Sequence, residues 1–262
     1  MISYDWLQGL FDFNVKHKVN EAVFASHLKL LQLFCQSANK TLLDSITSFY
    51  SNEFISLNLL TETQFITQTI SSIESFQHTT TNAFQQSLNI IIDIILGNQL
   101  MSIYETNWYF IPDPNGSNAF YTKSKSYGEC SCGTSRSINC TDSLIINENI
   151  TIDGMFIGCL PITSLRLSSL ECFYNETCLA QIQQAFNLQN MSINSLNPLQ
   201  SSQYSVNTSL NKIIDNLMLE SWTYDINYTE YFNQCNLQKC MYSMMQRNNP
   251  LVVFTTFASL CE

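Results

Sequence analysis

The chain has 262 residues, enough for one large domain or two small ones, and 45% hydrophobic content with 12% aromatics supplies a core rather than disorder. Eleven basic residues against 21 acidic ones give a net charge of −10, a field that repels phosphate backbones and anionic lipid headgroups and argues against nucleic-acid binding. Only 12% of residues are charged, and glycine and proline number seven and five, so solubility rests on neutral polar groups or sugar and a turn-dense β-sandwich is disfavoured.

The start, MISYDWLQGLFDF, has neither the basic flank nor the continuous apolar stretch of a signal peptide, so a secreted form expects a signal or anchor outside this stretch. Over 4–14, Trp6, Leu7, Leu10 and Phe11 share one helical face. From Asn20 a wider stripe follows, Val23, Phe24, His27, Leu28, Leu31, Phe34, Cys35 and Ala38, which predicts a core-facing helix with Cys35 on its buried side. A third helix is expected from Leu42 to Tyr50, separate from its predecessor or continuous with it. Thr61 with Gln64 forms a capping box that opens a helix through Phe65, Ile66, Ile70, Ile73 and Phe76, which HTTT at 78–81 closes. Asn82 with Gln85 repeats the start signal for the most apolar helix, Phe84 to Ile103, expected at the centre of the fold.

After Tyr104 the texture changes. NWYFIP reads as a strand and PDPNGSN as a turn, with Asp113, Asn115 and Ser117 resembling the start of a calcium loop. The glycine and glutamate such a loop needs are replaced by Asn118 and Ser124, so a turn is the reading. Leu144 to Ile146 and Met155 to Ile157 predict two short strands, the second bracketed by Gly154 and Gly158. Thr163 is expected to cap a helix through Leu165, Leu170 and Phe173, and a second helix covers Glu176 to Phe186. Residues 187–205 read as a surface loop. A final helix from Thr208 or Ser209 turns Leu210, Ile213, Ile214, Leu217 and Met218 inward. Trp222, Tyr224, Tyr228, Tyr231 and Phe232 follow, either as core or as an exposed stacking surface.

Ten cysteines, an even number, predict five disulfides among Cys35, Cys130, Cys132, Cys140, Cys159, Cys172, Cys178, Cys235, Cys240 and Cys261. Six of them fall between 130 and 178. Cys130 and Cys132 are too close to bridge each other without strain, so each reaches a different partner. Local pairs are expected at Cys172–Cys178 and Cys235–Cys240. Zinc is disfavoured, since Cys235 and Cys240 form the one pair with zinc-ligand spacing and His17, His27 and His78 sit far upstream. Eight N-x-[ST] sequons begin at Asn39, Asn115, Asn139, Asn149, Asn175, Asn190, Asn207 and Asn227. Asn139 ranks lowest, because Cys140 occupies its middle position. Cysteines and sequons together point outside the cytosol.

The blocks FYSNEFIS from Phe49, CSCGTS from Cys130, GMFIGCLPITSL from Gly154, SLECFYNETCL from Ser169, and YFNQC with MQRNNPLVVFTTF from Tyr231 onward resemble a family of cysteine-rich ectodomains associated with bdelloid rotifers. The resemblance implies an extracellular region flanked by membrane spans, the later one beginning at PLVVFTTFASL. It brings no activity with it. That apolar run, Pro250 to Leu260, is about half the 18 or more residues of a span.

There is no G-x-S-x-G, H-E-x-x-H or P-loop, and His27 on an apolar stripe reads as a core histidine rather than a base. The expected fold is mainly α, a helical amino-terminal half (1–104) packed with a disulfide-rich α+β carboxy-terminal half (105–262) containing a few short strands, as one compact unit. The expected function is non-enzymatic. It is an extracellular, disulfide-bonded N-glycoprotein with a structural role, without cofactor, partnered by copies of itself in a coat or filament. The alternative is a membrane-tethered ectodomain of a receptor, adhesion or channel-like protein.

Overall fold

The computed structural model describes residues 19–51, 59–113, 119–133, 140–186 and 194–235. The helix expected over 4–14, the turn over 114–118, the run from Pro250 to Leu260, and Asn115, Asn139, Asn190, Cys240 and Cys261 lie outside them. About 54% of the described residues are helical, the strands form short antiparallel pairs, and three disulfides cross-link the carboxy-terminal half: an α+β fold. By its contacts the chain divides into a unit of Met1–Glu53 with Ser71–Tyr224 and a unit of Phe54–Ile70 with Asp225–Glu262.

Helix α1 runs Val19–Ser51 without a break, so the two segments expected there are one. It contains no glycine or proline, and its buried residues recur every third or fourth position through Val23, His27, Leu31, Phe34 and Ala38. Helix α2, Glu62–Gly97, is opened by the predicted capping box. Thr61 donates its N–H to Gln64 Oε1 at 3.1 Å, and Gln64 returns its N–H to Thr61 Oγ1 at 3.4 Å. The stop expected at HTTT does not occur, and Asn82 caps nothing: its side chain hydrogen-bonds His78 one turn back. Threonine and histidine cost a helix only about 0.7 kcal/mol per residue at most, far less than a proline, and the buried Thr80, Phe84, Leu88 and Ile92 carry the helix through. The actual end is a Schellman arrangement. Gln99, with φ of 50°, takes the left-handed position, Leu100 N–H reaches Ile95 O at 3.1 Å and Gln99 N–H reaches Leu96 O at 3.2 Å.

The centre of the first unit is α1, not α2. One apolar cluster joins Phe24 and Leu28 of α1 to Leu144, Ile146, Ile152 and Phe173, and the other joins Leu31 and Phe34 of α1 to Phe84, Leu165, Leu210 and Ile214. Only one stripe of α2 is buried, leaving Ile90, Ile91 and Ile94 at 47–58% exposure, and Ile103, beyond the helix end, is 86% exposed.

Three antiparallel pairs follow among the described residues. β1 (Trp108–Pro112) pairs with β2 (Phe120–Ser124), β3 (Ser126–Tyr127) with β4 (Cys130–Ser131), and β5 (Thr141–Ile146) with β6 (Ile150–Gly158). The β1 and β5–β6 strands are where the sequence placed strands. At the β5–β6 turn Asn147 and Glu148 have φ of 47° and 66°. The start of α1 holds this turn: Glu21 Oε1 accepts the Asn147 N–H at 3.0 Å, and Asn20 donates its amide to Ile145 O at 2.6 Å. Gly154 interrupts the register with φ of 74°, and a Cβ there would lie 2.1 Å from Ser169 Oγ.

Helix α3, Pro161–Leu167, is capped at Leu160, three residues before the Thr163 cap expected, with Pro161 in the first turn, where its missing N–H costs nothing. It also ends sooner, at Ser168, and Glu171–Tyr174 forms a separate 3₁₀ turn that carries Phe173. Helix α4, Glu176–Ala185, is capped by Asn175. Helix α5, Leu210–Asp215, is short, and Leu217 and Met218 adopt left-handed φ beyond it. In the second unit, α6 (Tyr228–Gln234) places Tyr231 in a stack on Phe65 at 4.3 Å. The Tyr228 and Tyr231 hydroxyls meet the carbonyl and N–H of Leu60. No residue of α6 is buried, so this aromatic run is half-exposed rather than core.

Candidate functional site: a double disulfide and its exposed sequons

The cysteine block is placed by strand geometry. Cys130 lies in β4 and Cys132 two residues on, a spacing that turns both side chains to one side of an extended chain. The β5–β6 ladder pairs Thr141 with Gly158, so Cys140, just before β5, and Cys159, just after β6, lie next to each other at its open end. Cys159 donates its N–H to Cys140 O at 3.4 Å. Gly158 makes this approach possible, since a Cβ there would sit 2.8 Å from Cys140 O. The bridges are Cys130–Cys140 and Cys132–Cys159, so each member of C-S-C does find a different partner. The third is the predicted Cys172–Cys178. They close spans of 10, 27 and 6 residues, which chain entropy converts to about 2 to 3.5 kcal/mol each.

The Sγ atoms of Cys132, Cys140 and Cys159 all lie within 4.8 Å of one another, a grouping that reduced thiolates could use to hold a metal. In this arrangement each sulfur is spent in a disulfide and offers no thiolate. Cys35 and Cys235 are half-buried and bond to no other described cysteine. Cys35 is therefore less buried than its stripe suggested, and the Cys235–Cys240 pairing lies outside the described residues.

Polar side chains that no periodicity announced tie this region down. Asn107 donates to Leu100 O and accepts from the N–H groups of Ser102 and Trp108, all at 2.8–2.9 Å. The fully buried Thr106 donates to Cys159 O at 3.0 Å, and Tyr127 donates to Thr106 O at 2.8 Å. Burial, with a smaller push from the Asp142 charge, raises the Tyr127 hydroxyl to a pKa of about 12, so it remains a donor. Arg166 gathers Asn211, Asn89 and Asp215 at 2.6, 3.2 and 2.9 Å, joining α3 to α2 and α5. A lone arginine among the leucines and hydroxyl residues of ITSLRLSSL is the sequence signal for it.

Among the described residues, His27 is the side chain with the look of a catalytic base. Its Nε2 lies 3.1 Å from Ser164 Oγ, a nucleophile–base pairing by distance. Both residues are completely buried, and Ser164 Oγ already donates to Leu160 O at 3.2 Å, so no external substrate reaches the pair. Burial lowers the His27 pKa to about 3, a shift the Pro161 carbonyl only partly opposes, and the ring is neutral. It is a core histidine as expected, yet not a satisfied one: Nδ1 has no hydrogen-bond partner, nor does the buried Glu21 Oε2.

Each described sequon asparagine is exposed: Asn39 on α1, Asn149 in the β5–β6 turn, Asn175 at the start of α4, Asn207 before α5 and Asn227 at the start of α6. Asn175 and Asn227 also serve as N-caps through Oδ1, which accepts from Thr177 and Cys178 N–H and from Glu230 N–H respectively. A surface cleft of about 420 Å³ lies beside Asn175, lined by Glu176, Leu179, Gln183, Asn194 and Ser195. No described helix is long and apolar enough to cross a membrane.

No protein family, curated protein or solved structure matches the chain.

Proposed function

We propose that the protein is an extracellular, disulfide-bonded N-glycoprotein with a structural, non-catalytic role, assembling with copies of itself. The observation that carries the first part is the coincidence of three disulfides with five exposed sequon asparagines on one fold. Disulfides persist in oxidising compartments, and sugar can only sit where the asparagine amide meets solvent.

Self-association is supported by apolar surface left uncovered. Ile90, Ile91 and Ile94 form an exposed patch on α2, and the two-stranded β1–β2 ribbon shows Phe110 at 56% and Phe120 at 67%. A ribbon of two strands has two open edges, and an exposed isoleucine patch is unusual on a protein that works alone. The earlier resemblance to cysteine-rich ectodomains agrees with the compartment. Electron microscopy and size-exclusion chromatography of the secreted chain test the assembly. Polymers or closed oligomers are expected, weakened by I91K/I94K; a monodisperse monomer at high concentration overturns the assembly and leaves a lone ectodomain.

A further inference from the structure

The sequon Asn175-Glu176-Thr177 lies wholly inside the six-residue span closed by Cys172–Cys178. Within that span only Asn175 itself is extended, held between the 3₁₀ turn Glu171–Tyr174 and helix α4. Asn175 donates its N–H to Cys172 O at 3.1 Å, and its Oδ1 accepts from Thr177 N–H at 2.9 Å and Cys178 N–H at 3.4 Å. Glu176 and Thr177 are the first two residues of α4. Behind the loop Cys172, Phe173, Cys178 and Leu179 are 0–4% exposed, so it cannot be drawn out without unseating the core. In front, Asn175, Glu176 and Thr177 face solvent.

A glycosyltransferase that acts on sequons must grip three consecutive residues in its own groove, which needs the segment free of helix and cross-link. The same amide, once modified, suits the folded loop. Transfer breaks one Nδ2–H bond and forms a bond from Nδ2 to the anomeric carbon of a lipid-diphosphate-linked oligosaccharide, the lipid diphosphate leaving and the proton going to solvent. Oδ1 is untouched, so both cap bonds survive. Closing the bridge takes two protons and two electrons from Cys172 and Cys178 by exchange with an oxidised dithiol carrier of the compartment. The two reactions therefore compete for one stretch of chain, and only one order permits both.

Resting on the proposed passage through a glycosylating, oxidising compartment, we infer that Asn175 is a glycan acceptor only before Cys172–Cys178 closes, so that its occupancy reports the order of glycosylation and oxidation. Asn207 is the internal reference: it is exposed and no described disulfide encloses its sequon.

The test expresses the full chain behind a cleavable secretion signal in animal cells, as wild type and as C172S/C178S, and measures site-by-site occupancy in whole-cell material by mass spectrometry. T177A, which keeps the asparagine cap but destroys the sequon, assigns the peptide. Occupancy at Asn175 is expected to be partial in wild type and to rise in the double variant, with Asn207 unchanged. The double serine variant need not fold for this readout, and brief dithiothreitol treatment of cells making the wild-type chain is expected to raise Asn175 in the same way. Equal occupancy at Asn175 in all three, with sugar present at Asn207, overturns the inference alone. Bare asparagines at Asn39, Asn149, Asn175, Asn207 and Asn227 overturn it together with the secretory reading.

Discussion

Lowering the pH should loosen the fold through one residue, His27. Its ring is fully buried, close to Ser164 and the Pro161 carbonyl, and its pKa in the folded chain is about 3 against 6.5 when unfolded. Between those values the unfolded chain holds a proton the folded one does not. Its contribution is thus fully present above pH 6.5 and is lost as the pH falls toward 3. At pH 5, one and a half units below 6.5 and at 1.36 kcal/mol per unit, the loss is about 2 kcal/mol. Urea unfolding with disulfides intact, at pH 7.5 and 5, measures it. To isolate this ring from every other group, the comparison is with H27Q and H27L: the wild type should lose about 2 kcal/mol more than either variant. Parallel losses in all three would refute the reasoning, and would mean that the ring reaches solvent or a counter-charge in the folded state.

Three further outcomes follow from the packing. Gly154→Ala puts a Cβ against Ser169 Oγ at a left-handed φ, and should cost about 2 kcal/mol or more in urea denaturation, with Gly128→Ala, where a Cβ meets nothing, losing less. Removing the 27-residue cross-link as C132S/C159S should lower stability by about 3.5 kcal/mol, more than C172S/C178S at about 2 kcal/mol, read by the same assay. Arg166→Ala leaves Asp215 half-buried without its cation and breaks the ties to Asn89 and Asn211; a loss of about 1–3 kcal/mol is expected, and D215N should recover part of it.

Much of the fold was legible where local chemistry decides it. The stripe from Val23 to Ala38 made α1 readable, and the Thr61–Gln64 box marked the start of α2 to the residue. Errors arose where a weak local signal met a strong tertiary one. HTTT and the Asn82–Gln85 pair looked like a stop and a start, but differences of a few tenths of a kcal/mol per residue yield to the burial of Thr80, Phe84 and Leu88. Apolar content misplaced the centre, because Ile90, Ile91 and Ile94 count toward composition whether or not anything covers them. At α3 the proline outweighs Thr163 as a start signal, because its fixed φ and missing N–H suit the first turn.

The cysteine region divided the same way. Cys172–Cys178 was readable from spacing, since six residues leave few other partners. Cys130–Cys140 and Cys132–Cys159 were not, because the β5–β6 register alone brings Cys140 beside Cys159. Sequons are legible as strings, but their exposure is a property of the fold, and the enclosure of Asn175 by a disulfide appears only once the bridge is drawn.

Intact-mass spectrometry of the secreted chain, before and after N-glycosidase and before and after reduction with alkylation, reaches the central claim most directly. The account predicts a mass loss on deglycosylation and blocked Cys130, Cys132, Cys140, Cys159, Cys172 and Cys178 that accept alkyl groups only after reductant. Alkylation of those six without reductant, in a chain whose mass the glycosidase leaves unchanged, would contradict it.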